Sequence, residues 1–540
     1  MTDYISPKRI QGVGPIGAEI LIVGEAPYGD AEHNSFPIDR DALAQLEKAY
    51  PGNLSAVRYM NLSEYKPTNN DFSYLDGSTE LRDSIGVLES YITQYPPKLI
   101  IGLGERVLRH FSGNYNINDW RGSPLSHKGI KFLPTYTPDS IVYNRSNFPI
   151  FSFDLQKALD YLQGKNRIYK DNFTITHDQM EMMNLEAEIL AAPYVTIDIE
   201  TKRVQNAGEP INILCIGFGL SAERAICMVL TNDSARQVAG NILCKISKPI
   251  FHNSLFDVAV LRYFNDVRVL PAYFDTLLAA HVLDPEMPRG LDFICSTLTW
   301  RPCYWSGISF NETDKSHSEK QLSTRNLYIY NCFDVVVTYE AYESQQKDLE
   351  ANPRLRQVFD YEMEMLEVSH HMSSTGFTVD ETRRALLFTS IEAKKQKDYV
   401  FLCALAGKGV LITSPKQVKD FLYGDLELPP RRTRKGVITT DNDALVGLIA
   451  FAQGERAKLR TEEAKGKWSL KIAILKIILN IRGYEKLLSS YLGASYSKDG
   501  RLRSIFKVAG TESGRLAGGN WWDETGLNAQ TLPREEIEVD

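Results

Sequence analysis

Four acidic residues stand in apolar company, and they constrain the fold of this chain more than any other feature. Asp198 and Glu200 close the apolar run 194–199, and Asp257 follows His252-Asn253-Ser254-Leu255-Phe256. Asp334 ends Tyr330-Asn331-Cys332-Phe333-Asp334, directly ahead of three valines. An unpaired carboxylate among apolar neighbours is costly, so a fold that buries these segments must gather the acids around something positive. Residues two apart on a strand point to one face, so Asp198 and Glu200 can share a cation. Tyr330 and Asp334, four apart in a helical pattern, also share a face. Hard oxygen ligands suit Mg²⁺ or Mn²⁺ and argue against zinc. Two such ions roughly 3.5–4 Å apart stabilise both the attacking and the leaving oxygen of a phosphodiester, and the Tyr330 phenol could orient the attacking water.

Composition narrows the field. The chain has 540 residues, enough for three or four domains at roughly 150 residues each. Its 43% hydrophobic and 24% charged content is ordinary for globular proteins and excludes disordered, collagen-like and disulfide-framework classes. A net charge of -7 excludes a globally basic nucleic-acid coat but leaves room for a local basic channel. The seven cysteines include no CxxC pair, the usage of a reducing cytoplasm without a structural zinc or iron–sulfur site. The N-terminus MTDYISPKRI lacks the apolar core of a signal peptide. The most apolar helical stretch, 472–481, is interrupted by Lys476 and too short to span a bilayer. A cytoplasmic protein without membrane contact is expected.

Punctuation divides the chain into three segments. Residues 1–165 alternate strands (19–23, 98–102 and one capped by Leu133-Pro134-Thr135) with a helix at 81–95, which predicts a parallel sheet with helices on both faces. The polar stretch 164–172 reads as a linker. Residues 175–350 place a Met- and Glu-rich helix before strands at 194–199 and 211–220, then helices from 254 and a polar loop at 307–325. This segment is α/β as well. Residues 355–540 open with long amphipathic helices, alternate charges over 455–467 as a solvated helix does, and become rich in Gly, Trp and turn residues from Gly510.

The three acidic blocks resemble the Exo I, Exo II and Exo III motifs of DEDD exonucleases, in the tyrosine-bearing subclass. They are most similar to the proofreading domain of family A DNA polymerases, and Phe274-Asp275-Thr276 with Asp284-Pro285 extends the match. The resemblance implies an RNase H-like domain removing nucleotides in the 3′–5′ direction. It implies Asp198, Glu200, Asp257 and Asp334 as ligands of two Mg²⁺ or Mn²⁺ ions, Tyr330 as a catalytic group, and Asn253 beside a single-stranded DNA 3′ end.

In the third segment Ser414-Pro415-Lys416-Gln417-Val418, Thr439-Thr440-Asp441 and Arg482-Gly483-Tyr484-Glu485-Lys486-Leu487 resemble the mainly helical thumb of the same polymerases. Thr511-Glu512-Ser513-Gly514-Arg515-Leu516 and Asn528-Ala529-Gln530-Thr531-Leu532-Pro533-Arg534 resemble the entrance to their palm. By that likeness Thr511, Arg515, Gln530 and Arg534 contact primer–template, with Arg515 on a phosphate and Gln530 on a groove edge. The sequence ends at Asp540, where the first palm motif would begin. Polymerisation is therefore expected only if a separate palm–fingers chain supplies that site.

The first segment, from Leu21-Ile22-Val23-Gly24-Glu25-Ala26-Pro27-Tyr28 onward, is similar to the uracil-DNA glycosylase superfamily, a three-layer α/β fold. Ile100-Ile101-Gly102-Leu103-Gly104, Arg121-Gly122 and Leu133-Pro134-Thr135 continue the likeness. It implies a base-flipping pocket of Glu25, Tyr28, Phe36 and Asn61, in which the aromatic stacks and the amide reads the base edge. Thr137-Pro138 stands in place of the family's His-Pro pair, and the cluster-binding cysteines of its nearest branches are missing. The expectation is a recruited DNA-binding fold without catalysis. This domain order looks like that of certain bacteriophage polymerases, which implies phage DNA replication in a host cytoplasm. Two alternatives stay open: a docking subunit of a split polymerase, and a uracil-DNA glycosylase.

Overall fold

The computed structural model describes residues 9–31, 37–305, 324–433 and 436–533. Phe36, Arg534 and nearly all of the polar loop 307–325 lie outside the described residues. Contacts divide the chain into two compact units, Met1–Lys202 with Asn212–Met365, and Arg203–Ile211 with Leu366–Asp540.

The first unit contains two sheets. Strands β1 (Ile20–Gly24), β2 (Arg58–Asn61), β3 (Leu99–Leu103), β4 (Leu125–His127) and β5 (Ile130–Thr135) form the order β2-β1-β3-β5-β4. All neighbours are parallel except β4 against β5. A sheet covered on both faces reads as continuous apolar sequence, and every residue of β3 is buried. Ile22 and Ile101 pack with Phe151 and Leu155 of the helix Phe148–Leu162. Their neighbours Leu21, Val23 and Ile100 turn to Leu88 and Ile92 of the helix Thr79–Gln94. Helices therefore cover both faces, as the alternation of strands and helices predicts.

The second sheet comprises β6 (Asn172–Thr176), β7 (Val195–Thr201), β8 (Ile213–Gly219), β9 (Arg224–Val229), β10 (Pro249–Phe251) and β11 (Phe274–Asp275) in the order β11-β10-β7-β8-β9-β6. Strands β7, β8 and β9 run antiparallel, and β6, β10 and β11 join in parallel. Along β7, Val195, Ile197 and Ile199 are buried, while Thr196, Asp198 and Glu200 share the opposite face by strand alternation. The helix Thr324–Ala351 crosses that face: the Thr196 hydroxyl donates to the Val335 carbonyl at 2.7 Å.

Two glycines of β8 permit this approach. A Cβ at Gly217 would lie 2.5 Å from Asn331 Oδ1, and one at Gly219 would lie 2.7 Å from the Val335 carbonyl oxygen. Glycine within a strand commonly marks such a close contact.

The second unit is mainly helical. Helices Glu381–Ala406, Asn442–Lys458 and Glu462–Lys486 share a core that includes Leu402, Leu448, Ile474 and Ile478. The charged stretch 455–467 is not one solvated helix: the chain leaves helical geometry at Leu459, and the Thr461 side chain caps a new helix by accepting from Ala464 N–H. A hydroxyl at that position satisfies an otherwise unpaired N-terminal donor, which is why the break falls there. Strands Ile505–Lys507 and Ala517–Gly519 then form a short antiparallel pair.

Candidate active site

The two face-sharing acids of β7 meet the acid of the crossing helix. Carboxylate oxygens of Asp198, Glu200 and Asp334 all lie within 4.8 Å of one another. Asp257, on the short helix Ser254–Ala259 that follows β10, is not one of these three but is tied to β7. Its Oδ1 accepts from the Ile199 backbone N–H at 3.2 Å. Asp257 and Asp334 are buried, and Asp198 and Glu200 are half-buried.

Burial dominates the electrostatics. It raises the Asp198 carboxyl to about 7, although a hydrogen bond from Asn331 opposes the shift. Burial and then the charge of Asp198 push Glu200, Asp257 and Asp334 well above the usual carboxylate range. Desolvation raises all four, neighbouring acids add to it at Glu200, Asp257 and Asp334, and no lysine or arginine is among the causes. All-oxygen donors held this close, with no cationic partner among the described residues, fit hard divalent cations.

Asn331, Tyr304, Tyr330 and Asp275 order the cluster. The Asn331 side-chain amide donates to Asp198 Oδ2 at 2.8 Å and to the Asp198 carbonyl at 3.3 Å. The Tyr304 hydroxyl donates to Asp334 Oδ1 at 2.6 Å, and the Tyr330 phenol also bonds to Asp334. Asp275, at the end of β11, accepts from the backbone N–H groups of Asn253, Ser254, Leu277 and Leu278 and from the Ser254 hydroxyl. It thus joins the start of the Asp257 helix to the start of the helix Thr276–Leu283. Asn253 itself is exposed and left-handed, with φ 65°, a conformation asparagine tolerates better than most residues. Asn331 could have been read from its helical spacing to Asp334. Tyr304 carried no local signal, being thirty residues from its partner.

The residues grouped by likeness in the first segment are partly assembled. Glu25 and Tyr28 line a narrow cleft with Thr137 and Asp139. Glu25 Oε1 accepts from Arg106 N–H at 3.0 Å, and burial raises its carboxyl. Burial also raises the Tyr28 phenol. Burial, with Asp39 nearby, brings Asp139 up to about 6. Asn61 is 3% exposed, and its amide nitrogen donates to the Pro37 carbonyl at 2.7 Å. Arg121 does not face this cleft. It is buried against Asp154 and Ser296.

In the second unit, Thr511 Oγ1 accepts from Arg515 N–H at 3.0 Å, and Gln530 donates its side-chain amide to the Leu516 carbonyl at 3.1 Å. The two motifs therefore lie side by side, with Arg515 exposed. Gln530 braces the arginine loop.

Comparison with known proteins agrees with the middle of this picture. Residues 173–350 match the 3′–5′ exonuclease family. The chain is 25% identical over 300 residues to DNA polymerase I of Treponema pallidum, covering 54% of this chain and 27% of that protein. It is 24% identical over 321 residues to the DNA polymerase of Bacillus phage SP01, covering 52% and 34% respectively. The chain spans about a third of the length of these curated relatives. Among solved structures, the POL domain of Pol1 from M. smegmatis in complex with DNA primer-template and dNTP aligns with a TM-score of 0.47 and 17% identity, over 68% of this chain and 57% of that one. The chain is thus similar to DNA polymerase I and carries a 3′–5′ exonuclease domain over residues 173–350. No helix among the described residues is long and apolar enough to cross a membrane.

Proposed function

We propose, from a chain whose middle domain is a 3′–5′ exonuclease, that it removes 3′-terminal nucleotides from DNA as the proofreading part of a phage-type family A polymerase. The observation that carries this reading is the convergence of Asp198, Glu200 and Asp334 on one point. Asp257, bonded to the Ile199 N–H between the two β7 acids, completes the ligand set, and Mg²⁺ or Mn²⁺ are the ions these oxygens suit. When bound, two such ions supply charge stabilisation to the attacking and leaving oxygens of the phosphodiester.

The chain's own groups do the remaining work. Water attacks the terminal phosphorus, the bond to the 3′ oxygen breaks, and a 5′-nucleotide leaves a new 3′ hydroxyl. Burial and the neighbouring acids raise the Tyr330 phenol far above its ordinary range, so it remains protonated at neutral pH. Tyr330 therefore orients the water instead of acting as its base. Asn253, exposed beside Asp257, lies toward the 3′ end of the single strand. Thr511, Arg515, Gln530 and Arg534 bind primer–template, and affinity falls with salt as phosphate contacts require. In the first domain Thr137 cannot stabilise a departing base as an imidazole does, so that domain serves as a DNA-binding fold.

The test is 5′-labelled primer–template with Mg²⁺. The wild-type chain shortens the primer from its 3′ end, and Asp198→Ala with Glu200→Ala abolishes shortening while DNA binding persists. Activity that survives both substitutions overturns the assignment. An unchanged 3′ end with intact binding favours a docking subunit, and release of free uracil from a uracil-containing strand restores the glycosylase reading.

A further inference from the structure

The polar contacts between the first sheet and the second converge on one strap. Residues 296–305 leave the helix Leu291–Leu298 and end at Tyr304 and Trp305. Side chains of the first domain grip this strap at three levels. Arg121 forms a buried pair with Asp154 and donates from a third nitrogen to Ser296 Oγ at 2.8 Å. Lys157 Nζ donates to the carbonyls of Ser296 and Thr299, at 2.6 and 2.8 Å. Ser123 Oγ accepts from Cys303 N–H at 3.1 Å, one residue before Tyr304. Arg121, Ser123, Asp154 and Lys157 are each less than 5% exposed. Such an array is costly to bury unless every member is satisfied, and here the strap supplies the partners. Gly122, at φ 69°, completes the fit, because a Cβ there would come within 3.2 Å of the Ser296 carbonyl oxygen.

The far end of the strap reaches the acidic cluster. The Tyr304 ring stacks on Phe333 with centroids 5.1 Å apart, and its hydroxyl donates to Asp334 Oδ1. Asp334 is buried, and its rotamer decides whether its oxygen meets those of Asp198 and Glu200.

We propose that Tyr304 is a positioning residue of the exonuclease centre and that Arg121, Ser123 and Lys157 hold it there, so the first domain acts as a scaffold for metal binding in the second. The inference rests on the exonuclease reading above, with Asp334 as a metal ligand. A hydrogen bond from outside the ligand set fixes the orientation of a ligating carboxylate, and its loss typically weakens metal affinity or activity by roughly 10–100-fold.

The experiment uses the full chain and reads Mn²⁺ binding without DNA by electron paramagnetic resonance, alongside metal-free binding of a single-stranded oligonucleotide. Tyr304→Phe keeps the ring and removes the hydroxyl. It should weaken Mn²⁺ binding by roughly tenfold or more and leave metal-free DNA binding unchanged. Ser123→Ala, and Lys157→Met where melting shows a folded chain, should weaken Mn²⁺ binding in the same direction by a smaller factor. Wild-type Mn²⁺ affinity in Tyr304→Phe overturns the positioning role. A loss in Tyr304→Phe with wild-type affinity in both first-domain variants overturns the scaffold. Failure of the underlying reading is distinct: the wild-type chain itself would bind no Mn²⁺ that Asp198→Ala removes.

Discussion

Metal binding at the acidic cluster should be strongly linked to protons. In the metal-free chain the Asp198 carboxyl sits at about 7, and Glu200 and Asp334 lie well above their ordinary range. A cation needs these groups ionised. Between pH 6 and 8 the ionised fraction of a group with that value rises from about a tenth to about nine-tenths, which alone strengthens binding about 10-fold. Glu200 and Asp334, also raised by burial, add to this dependence in the same direction. Mn²⁺ affinity should therefore rise by about 10-fold or more from pH 6 to 8, with Asp198 releasing up to about one proton. Calorimetry in buffers of different ionisation enthalpy counts those protons, and Asp198→Asn should lower the count by about one. The same shifts act on folding. Carboxyls whose folded values are raised favour the folded state below those values, and this contribution is lost as pH rises. The metal-free chain should thus melt higher at pH 5.5 than at pH 8, and saturating Mn²⁺ should remove the difference. Affinity independent of pH would refute the reasoning, because it would mean the acids are already ionised and held by cationic side chains.

Asp139→Asn should stabilise the chain at pH 7 by up to about 3 kcal/mol, since its carboxyl is raised from 3.8 to about 6 by burial. Because the wild-type penalty grows from pH 4 to pH 6, the variant's advantage should vanish in melts at pH 4. Gly219→Ala places a methyl against the Val335 carbonyl and the Thr196 hydroxyl, and should cost about 1–3 kcal/mol in urea unfolding. It should also slow 3′ shortening by moving Asp334 away from β7. Arg515→Ala should weaken primer–template binding and reduce the salt slope by about one unit, measured by fluorescence anisotropy across salt concentrations. An unchanged slope would remove Arg515 from the phosphate contacts.

Much of the chemistry could be read along the chain. Asp198 and Glu200 were legible because strand alternation is local, and Tyr330 with Asp334 because helical spacing is local. The apolar runs of β1 and β3 announced a sheet covered on both faces for the same reason. The helix break at Leu459 was hidden, because the charge pattern of 455–467 continues across it and only the Thr461 cap marks the new start. Gln530 pointed by likeness to a groove edge, but the sequence did not show that the Leu516 carbonyl holds its amide. Arg121-Gly122 continued the first-segment likeness, but the sequence did not show that the arginine is spent on Asp154 and Ser296. These differences share one physical origin. Periodicity reports which face a side chain occupies, but not what lies opposite. The partner of Arg121 on the strap lies 175 positions away, and that of Tyr304 lies 30 away. What the sequence determined by itself was therefore the set of acids and the elements that carry them. Only the tertiary structure decided their common point, the glycine-lined crossing that brings Asp334 to β7, and the strap that sets Tyr304 upon it, because buried polar groups choose partners by proximity in space and not along the chain.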